Sequence, residues 1–599
     1  MGEMLKKRSE IEDQYKWNLE DMIASAAEEK TMEKQAEENL PSFGAFAGTL
    51  GQSAARLAEY LAAHDREEEL LSRLMAYAQQ KSDEDTANAE SQAMVSRVQS
   101  LFLKFFEKTA FAEPEILDIP AEKMKEFLAS SELSLYKKNL ERLLKKKAHM
   151  LSKEEETLLA ASVSMAQSPS AIFTLFNNAD LTFEPVTDAD GNELPVSHGR
   201  FGLLMENSDR NVRRAAFQSY YKSYGQFANT AAAMFEGNVK QACFYAKTRK
   251  YPSTRAYYLS ENEVPESVYD NLLAAVHKHL NLLHRYISIR KRALDVDKVH
   301  MYDLYAPMVP DFKKSYPYEE AKAMVLEALK PLGTEYTDIV KEGFESRWID
   351  VYENQGKRSG GYSNCVYGVH PYVLLSYDDT LHSALTLAHE MGHSLHSWYS
   401  NENQPYPYAG YTIFVAEVAS TVNEALLLND RIKKAESHEE KVFLLSQFLE
   451  RFRQIIYRQT MFAEFEFLAH KKAWDGIPLT KAELCAMYHD LNARYFGDDA
   501  FIDPEIDFEW ERIPHFYSPF YVYQYSTGFA AAMAISGRIL AGDEKTLKGY
   551  FEFLKGGSSG TPIELLKLCG LDMETPQAVE EALAVFEGLL DEFERESGL

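Results

Sequence analysis

The sequence predicts a mainly α-helical protein with a small β-sheet beside one chemically distinctive helix. Long stretches carry apolar residues at three- and four-residue spacing among dense charges, the pattern of helices with one buried face. A run rich in glycine, aromatic and β-branched residues interrupts that pattern at 356–377. Directly after it comes His389-Glu390-Met391-Gly392-His393, inside a segment from Thr380 to His396 that itself reads as helix.

Taken in order, 56–81, 86–108 and 121–147 read as long antiparallel helices joined by short turns. Residues 181–196 read as a β-hairpin around the turn Asp188-Ala-Asp-Gly-Asn192. The boundary between an N-terminal helical lobe, 1–197, and a larger body, 198–599, is placed at this hairpin. Helical pattern resumes over 211–248, 266–294, 318–330 and 334–350. Two short strands are expected at 362–367 and 372–377, just before the His389 helix. The glycine run Gly356-Lys-Arg-Ser-Gly-Gly361 lacks the spacing and the terminal Lys-Ser/Thr pair of a phosphate loop. Downstream, 412–434, 439–474, 481–495 and 521–540 read as helices, with no solenoid repeat and no low-complexity tract.

Composition sets bounds on function. A formal net charge of −28 argues against nucleic acid as a general partner, because phosphate contacts need basic surface. Cys243, Cys365, Cys485 and Cys569 are scattered and form no CxxC pair, which fits a reducing cytoplasmic compartment and no cysteine-based metal site. The N-terminal stretch lacks the apolar core of a secretion signal. The absence of an uninterrupted apolar run of about 18 residues leads to the expectation of no membrane span.

The chemistry starts from spacing. On a helix, residues i and i+4 share a face, so His389 and His393 can converge on one metal ion, with Glu390 in reach of a water bound there. A catalytic metal of this kind takes three protein ligands. Glu417, 24 positions after His393 and flanked by Val415, Ala416, Val418 and Ala419, is one candidate, since a carboxylate in apolar surroundings needs a partner or a metal. Glu424 lies seven residues on, on the same face. It suits a hydrogen bond to a ligating imidazole, and equally a plain salt-bridged surface position. His396 competes for third ligand but sits one turn too far along, and reads as a second-shell or packing residue. His382 reads as structural. Further away, His515-Phe-Tyr517-Ser-Pro-Phe-Tyr521-Val-Tyr523-Gln-Tyr525 reads on composition as aromatic core. The alternative is that its imidazole and hydroxyls are donors to a developing oxyanion.

These residues resemble the oligoendopeptidase F branch of the thimet-oligopeptidase-like zinc metallopeptidases over nearly the whole chain. The resemblance is carried by Tyr15-Lys-Trp-Asn-Leu-Glu-Asp21, Arg213-Arg-Ala-Ala-Phe-Gln-Ser-Tyr-Tyr221, Gly356-Lys-Arg-Ser-Gly-Gly-Tyr362, His389-Glu-Met-Gly-His-Ser-Leu-His396 with Glu417-Val-Ala-Ser420 and Glu424, and the segment from His515 to Tyr525. It implies a two-lobed helical, zincin-type metallopeptidase with a deep substrate channel. It further implies one Zn2+ per chain on His389, His393 and Glu417, with Glu390 as general base. His515 and one or more of Tyr517, Tyr521 and Tyr523 would contact the substrate carbonyl and backbone. Gly360, Gly361 and Tyr362 fall in the strand region suited to pairing with an extended peptide. The implied reaction is hydrolysis of internal bonds of short unstructured peptides.

Two other readings stay open at this stage. A zinc carboxypeptidase or dipeptidyl carboxypeptidase would need a cation near the metal, for which Arg453, Arg458 and Arg512 are available. A non-catalytic peptide-binding protein would have no use for Glu390. Oligomeric state is not legible.

Overall fold

The computed structural model describes residues 5–309 and 312–599. Of the N-terminal stretch considered above for a secretion signal, residues 1–4 lie outside these. The described chain is mainly α-helical with very short strands, as expected. The elements that position the site are, in chain order, α1 (Ala54–Glu84), the hairpin strands β1 (Val186–Thr187) and β2 (Glu193–Leu194), and α2 (Arg210–Thr248). They continue with β3 (Ile349–Asp350), β4 (Tyr362–Asn364), β5 (Tyr372–Leu374), α3 (Leu381–Asn403), α4 (Ile413–Lys433), α5 (Gln459–Trp474) and α6 (Tyr523–Leu540).

The chain gathers into two compact units. The first comprises Met1–Ala148, Lys314–Leu427 and Ile539–Gly560; the second comprises His149–Lys313, Leu428–Arg538 and Thr561–Leu599. The division expected at 197/198 is therefore not the one found, because the N-terminal helices share a unit with α3. The cause is a common core. Tyr372 and Leu374 of β5 are buried in the same cluster as Trp17, Leu57, Tyr60, Leu71, Leu74 and Phe105. Trp17 meets Tyr372 edge-on at 6.3 Å between ring centres, and its indole N–H donates to Glu84 at the end of α1. Arg8 ties the same region together by pairing with Asp350 at 2.6 Å and Glu84 at 3.0 Å. Helical periodicity marks each N-terminal helix but carries no information on which distant strand completes their core.

Within the first unit, the sheet has the order β3-β5-β4. β3 runs parallel to β5 (Ile349 opposite Val373), and β4 runs antiparallel to it (Ser363 opposite Val373). β4 and β5 are the two expected strands, each shorter than expected. β3 falls where helix was expected to continue to 350. That helix, Thr334–Glu345, stops because Arg347 turns to positive φ (60°), after which Trp348 and Ile349 enter the core in extended form.

In the second unit, the hairpin forms as read. β1 and β2 pair antiparallel, Asp188 Oδ1 accepts the N–H groups of Asp190 and Asn192, and Gly191 supplies φ +84°. α2 is one 39-residue helix, packed against α5 and the 3-10 segment Pro504–Arg512. The expected 439–474 helix is divided by a π-helical stretch at Arg453–Arg458, and the expected 266–294 helix breaks at His279. The helical run Lys153–Asp180 is, by length and composition, apolar enough to cross a bilayer, against the expectation that none would be. Its apolarity comes from alanine and from scattered large residues, including the exposed Leu158, Met165 and Leu175, interrupted by polar residues so that no unbroken apolar run forms.

Candidate active site

α3 begins at an N-cap formed by Thr380, whose hydroxyl accepts the Ser383 N–H at 3.1 Å. From there the helix runs through the core, with Leu387, Ala388, Met391 and Leu395 fully buried. α4 crosses it at backbone contact. The crossing is set by Gly392: a Cβ at this position would lie 2.5 Å from Ser420 Cα and 2.7 Å from the Ala419 carbonyl oxygen. Glycine inside a helix is unfavourable by itself, and here it admits the neighbouring backbone.

That close approach brings together the three groups named from the sequence. His389 Nε2 and His393 Nε2 are 3.1 Å apart, and Glu417 Oε2 is 3.3 Å from the first and 3.5 Å from the second. They form a group able to hold a metal ion. Donors arranged tetrahedrally around an ion with bonds of about 2.0–2.1 Å stand roughly 3.4 Å from one another, so these spacings fit a small divalent cation. Burial raises the Glu417 carboxyl, and hydrogen bonds and charge from His389 and His393 outweigh it, so the group is held well below the usual carboxylate range. His389 Nδ1 lies 3.0 Å from Glu424 Oε1, so Glu424 meets the imidazole on the side away from Nε2 rather than lying on the surface.

Glu390 is 6% exposed. Burial raises its pKa above the ordinary value; the neighbouring imidazoles and the Ser363 backbone N–H act in the opposite direction. Its Oε2 has no hydrogen-bond partner among the described residues. A buried carboxylate with one uncommitted oxygen beside a metal-ligand cluster is suited to accepting a proton. Ser363, on β4, also meets Ser394 of α3 (2.9 Å between hydroxyl oxygens), which fixes the strand to the helix. Gly361 lies against α3 as well, with a Cβ position 3.2 Å from Thr386 Cγ2, and Gly360 supplies φ +96° before it. Tyr362 points to the other side and donates to Asp83 Oδ2 at 2.7 Å.

Of the two roles read for His396, packing is the one the structure shows. It is stacked on Tyr411 at 3.8 Å and packed against Phe553, and burial lowers its pKa to about 3. His382 is exposed at the start of α3. The His515–Tyr525 segment belongs to the second unit. There His515 Nε2 and the Tyr525 hydroxyl are 3.3 Å apart, and Tyr521 stacks parallel to the imidazole. Tyr517 turns away to stack on Phe173 at 4.3 Å, and Tyr523 is 1% exposed against Tyr269. The partly exposed group is therefore His515, Tyr521 and Tyr525. Tyr525 was named above only as part of its segment, and its i+4 spacing from Tyr521 is the signal that sets it apart; nothing in the sequence marks Ser363 individually. Arg453, Arg458 and Arg512 pair with Glu450 or Glu509 inside the second unit, so their charge is already committed.

The sequence profile described as peptidase family M3 matches residues 203–585, and that of the oligopeptidase F N-terminal region matches 115–183. Oligopeptidase PepF of Bacillus subtilis is 46% identical over 98% of this chain and 88% of its own length. The oligoendopeptidase F homolog of Lactococcus lactis subsp. lactis is 42% identical over 87% of each. The solved structure of oligoendopeptidase-F from Enterococcus faecium is 37% identical, with a TM-score of 0.74 over 95% of this chain and 98% of that one.

Proposed function

Given that the chain belongs to peptidase family M3, we propose that it is a zinc-dependent oligoendopeptidase, cutting internal bonds of short unstructured peptides with Glu390 as general base. The peptidase class follows from the family. The finer reading rests on one observation: three ligand atoms lie within 3.5 Å of one another beside a buried carboxylate with an uncommitted oxygen.

In this reading His389, His393 and Glu417 hold the ion. Two imidazoles and a carboxylate are the ligand set of a catalytic zinc with one position left open. Zinc, when bound, would lower the pKa of a coordinated water and polarise the peptide carbonyl. Glu424 accepts the Nδ1–H of His389 and so presents the Nε2 lone pair to the site. Glu390 takes a proton at its carboxylate and returns it to the leaving amine. The open edge of β4, anchored by Ser363, gives an extended peptide a backbone to pair with, which favours substrates by shape more than by sequence. His515, Tyr521 and Tyr525 are suited to donating hydrogen bonds to carbonyl groups of a peptide. A cytoplasmic location remains part of the proposal.

The test is Glu390→Gln, assayed by metal content and by cleavage of a quenched fluorescent peptide. Retained metal with hydrolysis lost is expected; hydrolysis at the unaltered rate removes Glu390 from the reaction. Cleavage of a C-terminally amidated peptide as well as of the free one is expected of an endopeptidase, and strict dependence on the free carboxylate would point to a carboxypeptidase.

A further inference from the structure

A cavity of about 310 Å³ lies beside β4, lined by Gln79 and Asp83 of α1 on one side and by Arg358, Ser359 and 361–364 on the other. Its wall includes Ser363, the residue that touches both Ser394 and Glu390. The cavity is therefore continuous with the strand that runs past the catalytic glutamate. Nothing in the reaction described above uses it.

Its charges are unequal in availability. The Asp83 side chain is buried, and its carboxylate already accepts from the Tyr362 hydroxyl at 2.7 Å and the Gln79 amide at 2.9 Å. Arg358 reaches the same carboxylate only at 3.4 Å, through one amino group, and its side chain is 52% exposed. Its guanidinium lies over the Tyr362 ring, 5.4 Å from the centre, and its backbone N–H is tied to the Asp83 carbonyl at 3.0 Å. Arg358 thus lines the cavity while held against Asp83 and the Tyr362 ring, with only one of its amino groups in contact with that carboxylate. A guanidinium presented in this way matches a carboxylate in charge and in fork geometry.

We propose that Arg358 is a specificity residue: it binds a carboxylate of the peptide lying along β4, so that peptides carrying an acid at the matching position are preferred. The carboxylate is either an Asp or Glu side chain or the peptide's own C-terminus; both offer the same chemistry. This inference rests on the peptidase reading and on β4 as the peptide-binding edge. The chain as a whole carries a net charge of −28, so this local cation works against a field that otherwise disfavours acidic peptides.

Two sets of peptides test it. One set exchanges Glu for Gln at each internal position in turn; the other compares free and amidated C-termini. The wild type is expected to favour the carboxylate member of one set by about tenfold in kcat/KM, as one charge-assisted hydrogen-bond pair would give. Arg358→Gln is expected to bring that ratio close to one, and Arg358→Lys to restore part of it. Which set responds identifies the source of the carboxylate. Added salt should shrink the wild-type preference without any substitution, which keeps the test independent of how well the variants fold. The dissociation constants of the same pairs on Glu390→Gln protein give a second reading that needs no turnover. A chain that binds with the preference but cleaves nothing would sink the peptidase reading and leave this one standing. No preference in the wild type, or a ratio that is the same in wild type and Arg358→Gln, overturns the proposal.

Discussion

Gly392 and Ser420 meet through their backbones: the position of a Cβ on Gly392 is 2.5 Å from Ser420 Cα, closer than any real side chain tolerates. These residues belong to the two helices that supply the imidazoles and the carboxylate. The distance between the helices, and hence the 3.1–3.5 Å spacing of the three ligand atoms, is set here.

Gly392→Ala is therefore expected to push α4 away from α3. Overpacking of this kind costs about 1–3 kcal/mol, a fall of a few degrees in the melting temperature of a large chain. Metal content should drop with it, because the carboxylate moves while both imidazoles stay on α3. Melting curves and elemental analysis of the purified variant check both effects. An alanine variant that keeps its metal and its melting temperature would mean that the helices have slack at this crossing.

The part of the site that lies on one helix was legible in the sequence, and the part that depends on tertiary packing was legible only in outline. His389, Glu390 and His393 follow from helical spacing alone. Glu417 could be singled out because an ionisable group among valines and alanines needs a reason. Gly392, in contrast, is given no role by the sequence, since a helix does not announce what crosses it. The aromatic segment misled in a similar way. Four tyrosines within nine residues look alike in sequence, yet Tyr523 faces the core and Tyr517 faces Phe173, while Tyr521 and Tyr525, one turn apart, flank His515. The fold class was legible from periodicity. The grouping of the N-terminal helices with β5 was not, because that grouping rests on contacts such as Trp17 with Tyr372 across more than half the chain.

Glu424 offers a test of metal binding that leaves the ligands untouched. Its Oε1 stands 3.0 Å from His389 Nδ1. Removing such a partner typically weakens metal affinity by about ten- to a hundredfold. Glu424→Ala should accordingly lose its metal to a chelator at a correspondingly lower concentration than the wild type, and should regain activity when zinc is supplied in excess. Identical chelator titrations of the two proteins would show that Glu424 does not orient the imidazole.

In the second unit the buried carboxylate of Glu509 accepts from Arg458 at 2.6 Å, Arg512 at 2.8 Å, and the hydroxyls of Tyr488 at 2.6 Å and Tyr221 at 3.2 Å. Burial alone would raise this group; the two guanidinium groups outweigh burial and hold it well below the ordinary carboxylate range. Glu509→Gln leaves Arg458 and Arg512, both only partly exposed, short of their counter-charge; breaking a fully buried pair costs about 3–5 kcal/mol, and partial access of water to the two arginines lowers that figure here. Denaturant unfolding followed by tryptophan fluorescence should report that loss. A shift smaller than the scatter between replicate curves would mean that water reaches the arginines.

Glu466 predicts a pH dependence of stability. It lies on α5, is 1% exposed, and burial raises its pKa to about 8, only partly opposed by the Phe520 N–H, which donates to Oε1 at 2.8 Å. Its ordinary value is 4.5. Between these limits the folded protein holds a proton that the unfolded chain releases. The resulting stabilisation is complete below pH 4.5 and is lost as the pH rises through about 8. Glutamine keeps a carbonyl to accept from Phe520 and has no proton to lose. The melting temperature of wild type minus that of Glu466→Gln should therefore fall steadily from about pH 5 to about pH 9. Taking the difference cancels every other titrating group that the substitution leaves alone. A flat difference across that range would mean that Glu466 is ionised in the folded protein at neutral pH, and that a counter-charge or water reaches the buried Oε2.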